Sequence, residues 1–107
     1  MIESFTDKLY TVESAEERSV SVRLGEASHP IFKAHFEGNP LLPAFLQVDI
    51  AAEILGFSVK GISRSKFMEP LLPNDEVVLE HEERAGKIRV RWVKNGKIAS
   101  EITLEVE

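Results

Sequence analysis

The sequence contains no cysteine, which excludes disulfide bonds, thiolate metal ligands and a cysteine nucleophile. It also lacks a long apolar run. The most apolar stretch, residues 41–57, includes Gln47, Asp49 and Glu53 and is too short to span a bilayer. The first residues show no basic region followed by an apolar one, as a secretory signal would. We therefore expect a cytoplasmic protein with no membrane partner.

Positive charge is also in deficit, since 13 Lys and Arg residues face 18 Asp and Glu residues, for a formal net charge of −5. Nonspecific nucleic-acid binding needs an excess of positive charge, so we expect no nucleic-acid partner. The histidines His29, His35 and His81 lack the spacing of metal ligands, and we expect no metal. No repeat or linker divides the 107 residues, which predict one domain, 1–107.

Alternating apolar and polar residues predict strands in the C-terminal half. Residues 87–92 alternate basic and apolar side chains, and residues 98–106 alternate again. The Asn95-Gly96 pair between them tolerates the positive φ angles of a type I′ turn, so the two runs predict a β-hairpin. Further strands are predicted near residues 19–24, 57–67 and 75–84.

A single helix is predicted between the strands, over residues 43–56. Pro43 suits the first helical position and Gly56 suits the C-terminal end. The side chains between them are apolar nearly all round, which is typical of a buried helix. One long buried helix wrapped by an antiparallel sheet is an α+β arrangement. Because one sheet cannot cover every side of such a helix, we expect association with a second chain.

Two residues, one in the loop before the helix and one within the helix, could take or give a proton in a reaction. His35 lies in a loop rich in Gly, Asn and Pro, and an imidazole gains or loses a proton near neutral pH. Asp49 lies in the apolar helix, where a carboxylate is unfavourable unless it is paired, hydrogen-bonded or protonated. Each residue also has a simpler interpretation. A loop histidine is often structural or merely exposed, and a helix aspartate can cap a backbone group or pair with a cation.

Both residues belong to one block, residues 35–49, with the sequence HFEGNPLLPAFLQVD. This block resembles the signature of the 3-hydroxyacyl-acyl-carrier-protein dehydratases, in which His-Phe, a small turn and two prolines precede a helix that carries an acid. Asp49 follows His35 by fourteen residues, as the acid does in that signature. The aspartate resembles the hydroxydecanoyl-type enzymes, and the Gln-x-Asp ending resembles small dehydratase-like proteins of aryl polyene pathways. Residues 66–75, KFMEPLLPND, resemble the strand and turn that follow in the family.

The resemblance implies the hotdog fold, in which two subunits join their sheets and build two active sites across the interface. It also implies a division of labour on a 3-hydroxyacyl thioester. His35 would remove the proton from C2, and Asp49 of the partner subunit would donate a proton to the departing C3 hydroxyl. The Ala44 amide at the helix N-terminus would stabilise the developing enolate oxygen.

The resemblance further implies how the substrate is held and with what the protein associates. The acyl chain is expected in an apolar tunnel beside the helix, lined by Phe36, Pro43 and Phe45, although plain core or dimer packing explains the two phenylalanines equally well. No cofactor is implied. The substrate would be carried by acyl carrier protein or by coenzyme A, and the chain would form a homodimer or a higher homo-oligomer.

Three positions depart from the family pattern. Ala34 and Ala44 stand where the family has glycine, and a positive φ at Ala44 would strain it by ~1 kcal/mol or more. Glu53 stands where the family often has glutamine, one helical turn after Asp49. Two neighbouring carboxylates disfavour double ionisation, so Glu53 is expected to favour the protonated form of Asp49, unless it points away and does nothing.

Two other function classes remain open. A hotdog thioesterase would use an acidic residue or a water molecule to attack the same bound thioester. A non-catalytic acyl-thioester-binding or partner subunit would bind without reaction, and the two glycine-to-alanine departures make that class credible.

Overall fold

The computed structural model describes residues 8–34 and 41–107, and for residue 34 it describes the backbone alone. Eight elements follow one another in these ranges: β1 (Tyr10–Ala15), β2 (Ser19–Leu24), α1 (Pro30–Ala34), α2 (Ala44–Leu55), β3 (Val59–Phe67), β4 (Glu76–Arg84), β5 (Lys87–Lys94) and β6 (Lys97–Val106). The strands form one antiparallel sheet in the order β1-β2-β4-β5-β6-β3. β1 and β3 are therefore its two edges.

The core lies between α2 and the sheet. Leu46, Ile50 and Ala51 of α2 are fully or almost fully buried. Trp92 of β5, at 0% exposure, is the largest fully buried side chain of the described residues. The predicted α+β arrangement of one long helix against an antiparallel sheet is confirmed. Neither described helix combines the length and apolarity that a bilayer crossing requires.

The ends of α2 follow from its flanking residues. Pro43 precedes the helix with φ −60° and ψ 150°, and Ala44 is the first helical residue. At the other end, Gly56 adopts a left-handed φ of 72° and donates its N–H to Ala52 O at 2.9 Å. A left-handed glycine that closes the last turn is a common helix terminator. The predicted helix, residues 43–56, thus contains α2 and both of its capping residues.

The predicted hairpin is also confirmed. β5 and β6 pair antiparallel, and Asn95 and Gly96 between them have φ values of 52° and 77°. Two consecutive positive φ angles are those of a type I′ turn, whose twist matches that of the flanking strands. The predicted strands at residues 57–67 and 75–84 begin a little later, at Val59 and Glu76.

Two elements were not predicted, and the expectation of a single helix was wrong. β1 escapes the alternation test because it is an edge strand whose residues after Tyr10 are all exposed. α1 has only five residues, too few to show a helical period. His29 lies in the bend immediately before α1, where its Nδ1 accepts a hydrogen bond from the Ile31 N–H at 3.1 Å.

The helix α2 is less buried than its composition suggested. Phe45, Asp49 and Glu53 are exposed and lie on one face, because residues four apart are neighbours on a helix surface. Phe45 is 60% exposed, although phenylalanine is among the residue types most often buried. A single copy of the chain thus leaves one face of α2 open.

Candidate active site

The loop before α2 is held against the loop that follows β3. The Leu42 N–H donates to Leu71 O at 2.8 Å, and Leu42 O accepts a hydrogen bond from Gln47 Nε2 at 3.3 Å. Leu42 and Pro43 are both buried. Both polar groups of the Leu42 backbone are therefore used to fix the position at which α2 begins.

Gln47 also ties α2 to the sheet. Its Oε1 accepts a hydrogen bond from Ser100 Oγ of β6 at 2.8 Å, and the two residues are only 4% and 0% exposed. A buried amide is tolerated when its donor and acceptor are both paired. The sequence alone did not indicate a structural role for Gln47. The available signal was its position in an apolar helix, where a buried amide needs hydrogen-bond partners.

Ser100→Ala is expected to lower the free energy of unfolding by about 1–3 kcal/mol, because it leaves the buried Gln47 Oε1 without its donor. Chemical denaturation monitored by Trp92 fluorescence measures the change. The matched control is Ser58→Ala, at an exposed position between α2 and β3, which should have little effect. An unchanged stability in Ser100→Ala would contradict a supporting role for this bond.

The loop after β3 has its own anchors. Asp75 Oδ2 accepts a hydrogen bond from the Leu72 N–H at 2.8 Å and pairs with Lys94 Nζ of β5 at 2.9 Å. Lys94 Nζ also donates to Pro70 O at 3.2 Å. The predicted turn at residues 66–75 is thus fixed to the sheet, and with it the carbonyl of Leu71 that holds the start of α2.

Ala44 places its amide at the N-terminus of α2. The Pro43 carbonyl accepts the N–H groups of Leu46 and Gln47 at 3.1 and 3.2 Å, so the Ala44 amide precedes the first internal hydrogen bonds of the helix. Ala44 is helical and is not among the described residues with positive φ. The strain expected for a left-handed alanine does not arise.

A groove of about 320 Å³ lies beside this N-terminus. Ala44 and Leu41 contribute one side, and Phe67, Met68 and Pro70 contribute the other. The backbone N–H of Met68 donates to Ala99 O at 2.8 Å, which secures that second side to β6. The groove is mainly apolar in its lining, and that lining includes Ala44, the first residue of α2.

The open face of α2 carries the predicted acid. Asp49 is exposed one turn after Phe45, and in the described ranges it forms no ion pair. Glu53, one turn further on, accepts a hydrogen bond at 3.0 Å from the hydroxyl of Tyr10, which lies at the start of β1. Burial, together with this bond to the Glu53 carboxylate, raises the pKa of Tyr10 to about 12. The phenol is therefore neutral and able to donate at any working pH.

The remaining predicted site residues, His35 and Phe36, lie outside the described residues, as does the side chain of Ala34. Helix α1 ends immediately before His35, and the described chain resumes at Leu41 before α2. The predicted pairing of His35 with Asp49 stays a prediction. Within residues 8–34 and 41–107, no group of three or more His, Asp or Glu side chains could hold a metal ion.

Comparison with known proteins identifies relatives of this architecture. The family described as ApeI-like, ApeI dehydratase, matches residues 12–102. A 3-hydroxyacyl-acyl-carrier-protein dehydratase FabZ from Caldanaerobacter subterraneus subsp. tengcongensis is 26% identical over 94% of this chain and 81% of its own length. The FabZ of Acetivibrio thermocellus is 30% identical over 89% of this chain and 77% of its own length.

Solved structures give the same result for the fold. A chain of the dehydratase heterocomplex ApeI:P from Xenorhabdus doucetiae superposes with a TM-score of 0.69 and 25% identity, covering 90% of this chain and 93% of that one. Thioesterase superfamily member 2 from Mus musculus reaches a TM-score of 0.63 at 13% identity, over 94% of this chain and 83% of its own, and shares the fold alone. The predicted hotdog fold is confirmed.

Proposed function

The chain belongs to the ApeI-like dehydratase family, and from this membership we infer that it removes water from a 3-hydroxyacyl thioester to give the trans-2-enoyl thioester. The similarity to proteins named 3-hydroxyacyl-acyl-carrier-protein dehydratase supports the reaction and its substrate class. We propose acyl carrier protein or coenzyme A as the carrier of the acyl group. The cytoplasmic location expected from the sequence stays a prediction.

The proposed elimination assigns one proton transfer to each of two residues. His35 takes the C2 proton, and the released electron pair gives an enolate whose oxygen is stabilised by the Ala44 amide. The pair then forms the C2–C3 double bond as the C3–O bond breaks. Asp49 of the partner subunit protonates the leaving hydroxyl, which departs as water. Return of the proton from His35 to the acid, through solvent, restores both groups.

The observation that carries this proposal is that Ala44, the first residue of α2, is among the residues that line the apolar groove. A thioester oxygen placed there would meet a first-turn N–H and the positive end of the helix dipole. Such donors act most strongly on an oxygen that gains negative charge during the reaction. The apolar lining suits an acyl or pantetheine chain, which buries CH₂ groups favourably.

The same proposal requires a second subunit, and we propose a homodimer joined through the sheet at the β3 edge. Among the described strands β3 pairs on one side only, with β6, and two of its apolar side chains, Ile62 and Phe67, are 53% and 48% exposed. An edge strand with exposed apolar residues is a template for pairing with another chain. The open face of α2, with Phe45 and Asp49, would then meet the partner rather than water.

The proposed function is tested by following both possible products of the wild-type protein. Incubation with 3-hydroxybutyryl and crotonyl thioesters, carried by coenzyme A and by acyl carrier protein, should interconvert the two acyl groups, which the enoyl absorbance reports. Release of free thiol instead would identify a thioesterase. Substrate binding with neither product would identify a non-catalytic binding subunit, and both results would contradict the dehydratase assignment.

A further inference from the structure

The side chain of Gln47 has one more hydrogen-bond donor than its contacts use. A glutamine amide carries two N–H groups. Nε2 donates to Leu42 O at 3.3 Å, and Oε1 accepts a hydrogen bond from Ser100 Oγ at 2.8 Å. The residues in the ranges 8–34 and 41–107 offer Nε2 no other acceptor. Because Gln47 is only 4% exposed, bulk water has little access to the second N–H, which therefore needs an acceptor from another source.

Gln47 also lies at the groove beside the start of α2. Gln47 and Ala44 both line this groove of about 320 Å³. They are three residues apart, and residues at that spacing are neighbours on one face of a helix. The side chain of Gln47 points back along α2, since Nε2 reaches the Leu42 carbonyl, and only Pro43 separates Leu42 from Ala44. The Gln47 amide is therefore held near the first N–H of the helix.

The groove offers hydrogen-bond donors but no positive charge. In the part of the chain that the structure describes, neither the Ala44 N–H nor the second N–H of Gln47 has an acceptor. The described lining includes no Lys or Arg, and its one charged residue, Glu69, is acidic. A carboxylate or phosphate would find no cation there, whereas an uncharged carbonyl oxygen can accept both hydrogen bonds. The lining thus favours a neutral carbonyl group.

We propose that Gln47 is a catalytic residue: its second amide N–H donates to the carbonyl oxygen of the thioester, and it stabilises the enolate together with the Ala44 amide. This assignment rests on the proposed function, which places the thioester oxygen at Ala44. A donor that is fixed in advance needs no reorganisation when negative charge develops on the oxygen. The bonds of Gln47 to Leu42 and Ser100 supply that fixation, one from the helix start and one from β6.

The kinetic test compares two variants that both lack the bond to the sheet and differ only in the donor. Ser100→Ala removes the hydroxyl and keeps the Gln47 amide. The double variant Ser100→Ala/Gln47→Met removes the amide as well, and it should fold because neither partner of that bond is left unpaired and methionine has a similar volume. Relative to Ser100→Ala, the double variant is expected to lose about 10²-fold in kcat with little change in KM, as loss of one oxyanion donor does.

A second apolar replacement separates the missing donor from the properties of methionine. Gln47→Leu in the same Ser100→Ala background should lose kcat to a similar extent. Equal kcat in Ser100→Ala and in either double variant would overturn the proposal, because the amide would then contribute only through the fold. A rise in KM at unchanged kcat would also overturn it, since that result describes a binding contact that is equally strong before and during the reaction.

An infrared measurement gives a readout that needs no turnover. The probes are butyryl thioesters of coenzyme A and of acyl carrier protein, labelled with an isotope at the carbonyl carbon; they carry no 3-hydroxyl group and so are not dehydrated. Hydrogen bonds to a carbonyl oxygen lower its stretching frequency. The carbonyl band of the bound probe is therefore expected at a higher frequency in Ser100→Ala/Gln47→Met than in Ser100→Ala.

The infrared result also keeps this proposal distinct from the proposed function. An identical carbonyl band in the two variants, or a wild type that binds neither probe, would overturn the role of Gln47. If the band shifts as expected but the wild type does not dehydrate 3-hydroxybutyryl thioesters, the dehydratase assignment fails and the contact between Gln47 and the thioester carbonyl stands.

Discussion

Asp49→Asn is expected to lower kcat for dehydration by about 10²–10⁴-fold, the usual contribution of a positioned general acid. Asparagine keeps the size of the side chain but holds no proton that it can give to the departing hydroxyl. Because Asp49 is exposed in the single chain and forms no ion pair within the described ranges, the substitution should leave folding intact. Rates from the enoyl absorbance, with KM measured alongside, give the change.

The size of the effect separates a catalytic role from a structural one. Loss of a group that acts only in the transition state lowers kcat and kcat/KM together, whereas loss of a binding contact raises KM. The control is Glu17→Gln, which removes an exposed carboxylate between β1 and β2. An Asp49→Asn variant with kcat within a few-fold of the wild type would remove Asp49 from the mechanism.

The parts of the fold that were predictable are those that local chemistry decides. The Asn95-Gly96 turn and the end of α2 at Gly56 depend on positive φ angles that few residues adopt, so single residues mark them. Pro43 marks the other end because proline lacks the N–H that the first turn of a helix leaves unpaired. By contrast, the bond between Gln47 and Ser100 joins positions 53 residues apart. No periodicity indicates which polar residue of a distant strand will meet a given helix residue.

The same limit applies to the candidate site. The sequence singled out Ala44, Asp49 and Glu53, because their motif is contiguous along the chain. It did not indicate Tyr10, which reaches Glu53 only because β1 packs at the edge of the sheet. The groove wall at Phe67 and Met68 was missed for the same reason: it forms where the end of β3 meets the start of α2.

The open face of α2 differs from the burial that its composition predicts for a helix inside one chain. Its apolar composition predicted burial, yet Phe45 is exposed in the single copy. A residue that is exposed in one copy of the chain can be buried in a dimer, and aromatic residues are enriched in the buried centre of protein interfaces. The expectation of a second chain was derived from the same composition, so the two findings are consistent with one another.

Mixing two inactive variants should restore activity if each site combines residues of two protomers. His35→Ala lacks the base and Asp49→Asn lacks the acid, and each alone is expected to lose about 10²–10⁴-fold in kcat. After equimolar mixing and reversible dissociation, random pairing in a two-fold symmetric dimer puts one intact site in each mixed dimer. About a quarter of all sites would then be intact, and the recovered rate should approach about a quarter of that of the wild type.

Only mixed dimers can restore activity, so the recovered rate reports how the two chains assemble. The intact site takes His35 from the Asp49→Asn chain and Asp49 from the His35→Ala chain, while the other site of the same dimer lacks both groups. Mixing either variant with itself is the matched control and should restore nothing. If His35 and Asp49 of one chain formed the site, mixed dimers would hold no complete pair and the mixture would stay inactive. A recovered rate therefore requires both that the two residues act together and that they come from opposite protomers. The exposure of Asp49 in the single chain is compatible with that arrangement.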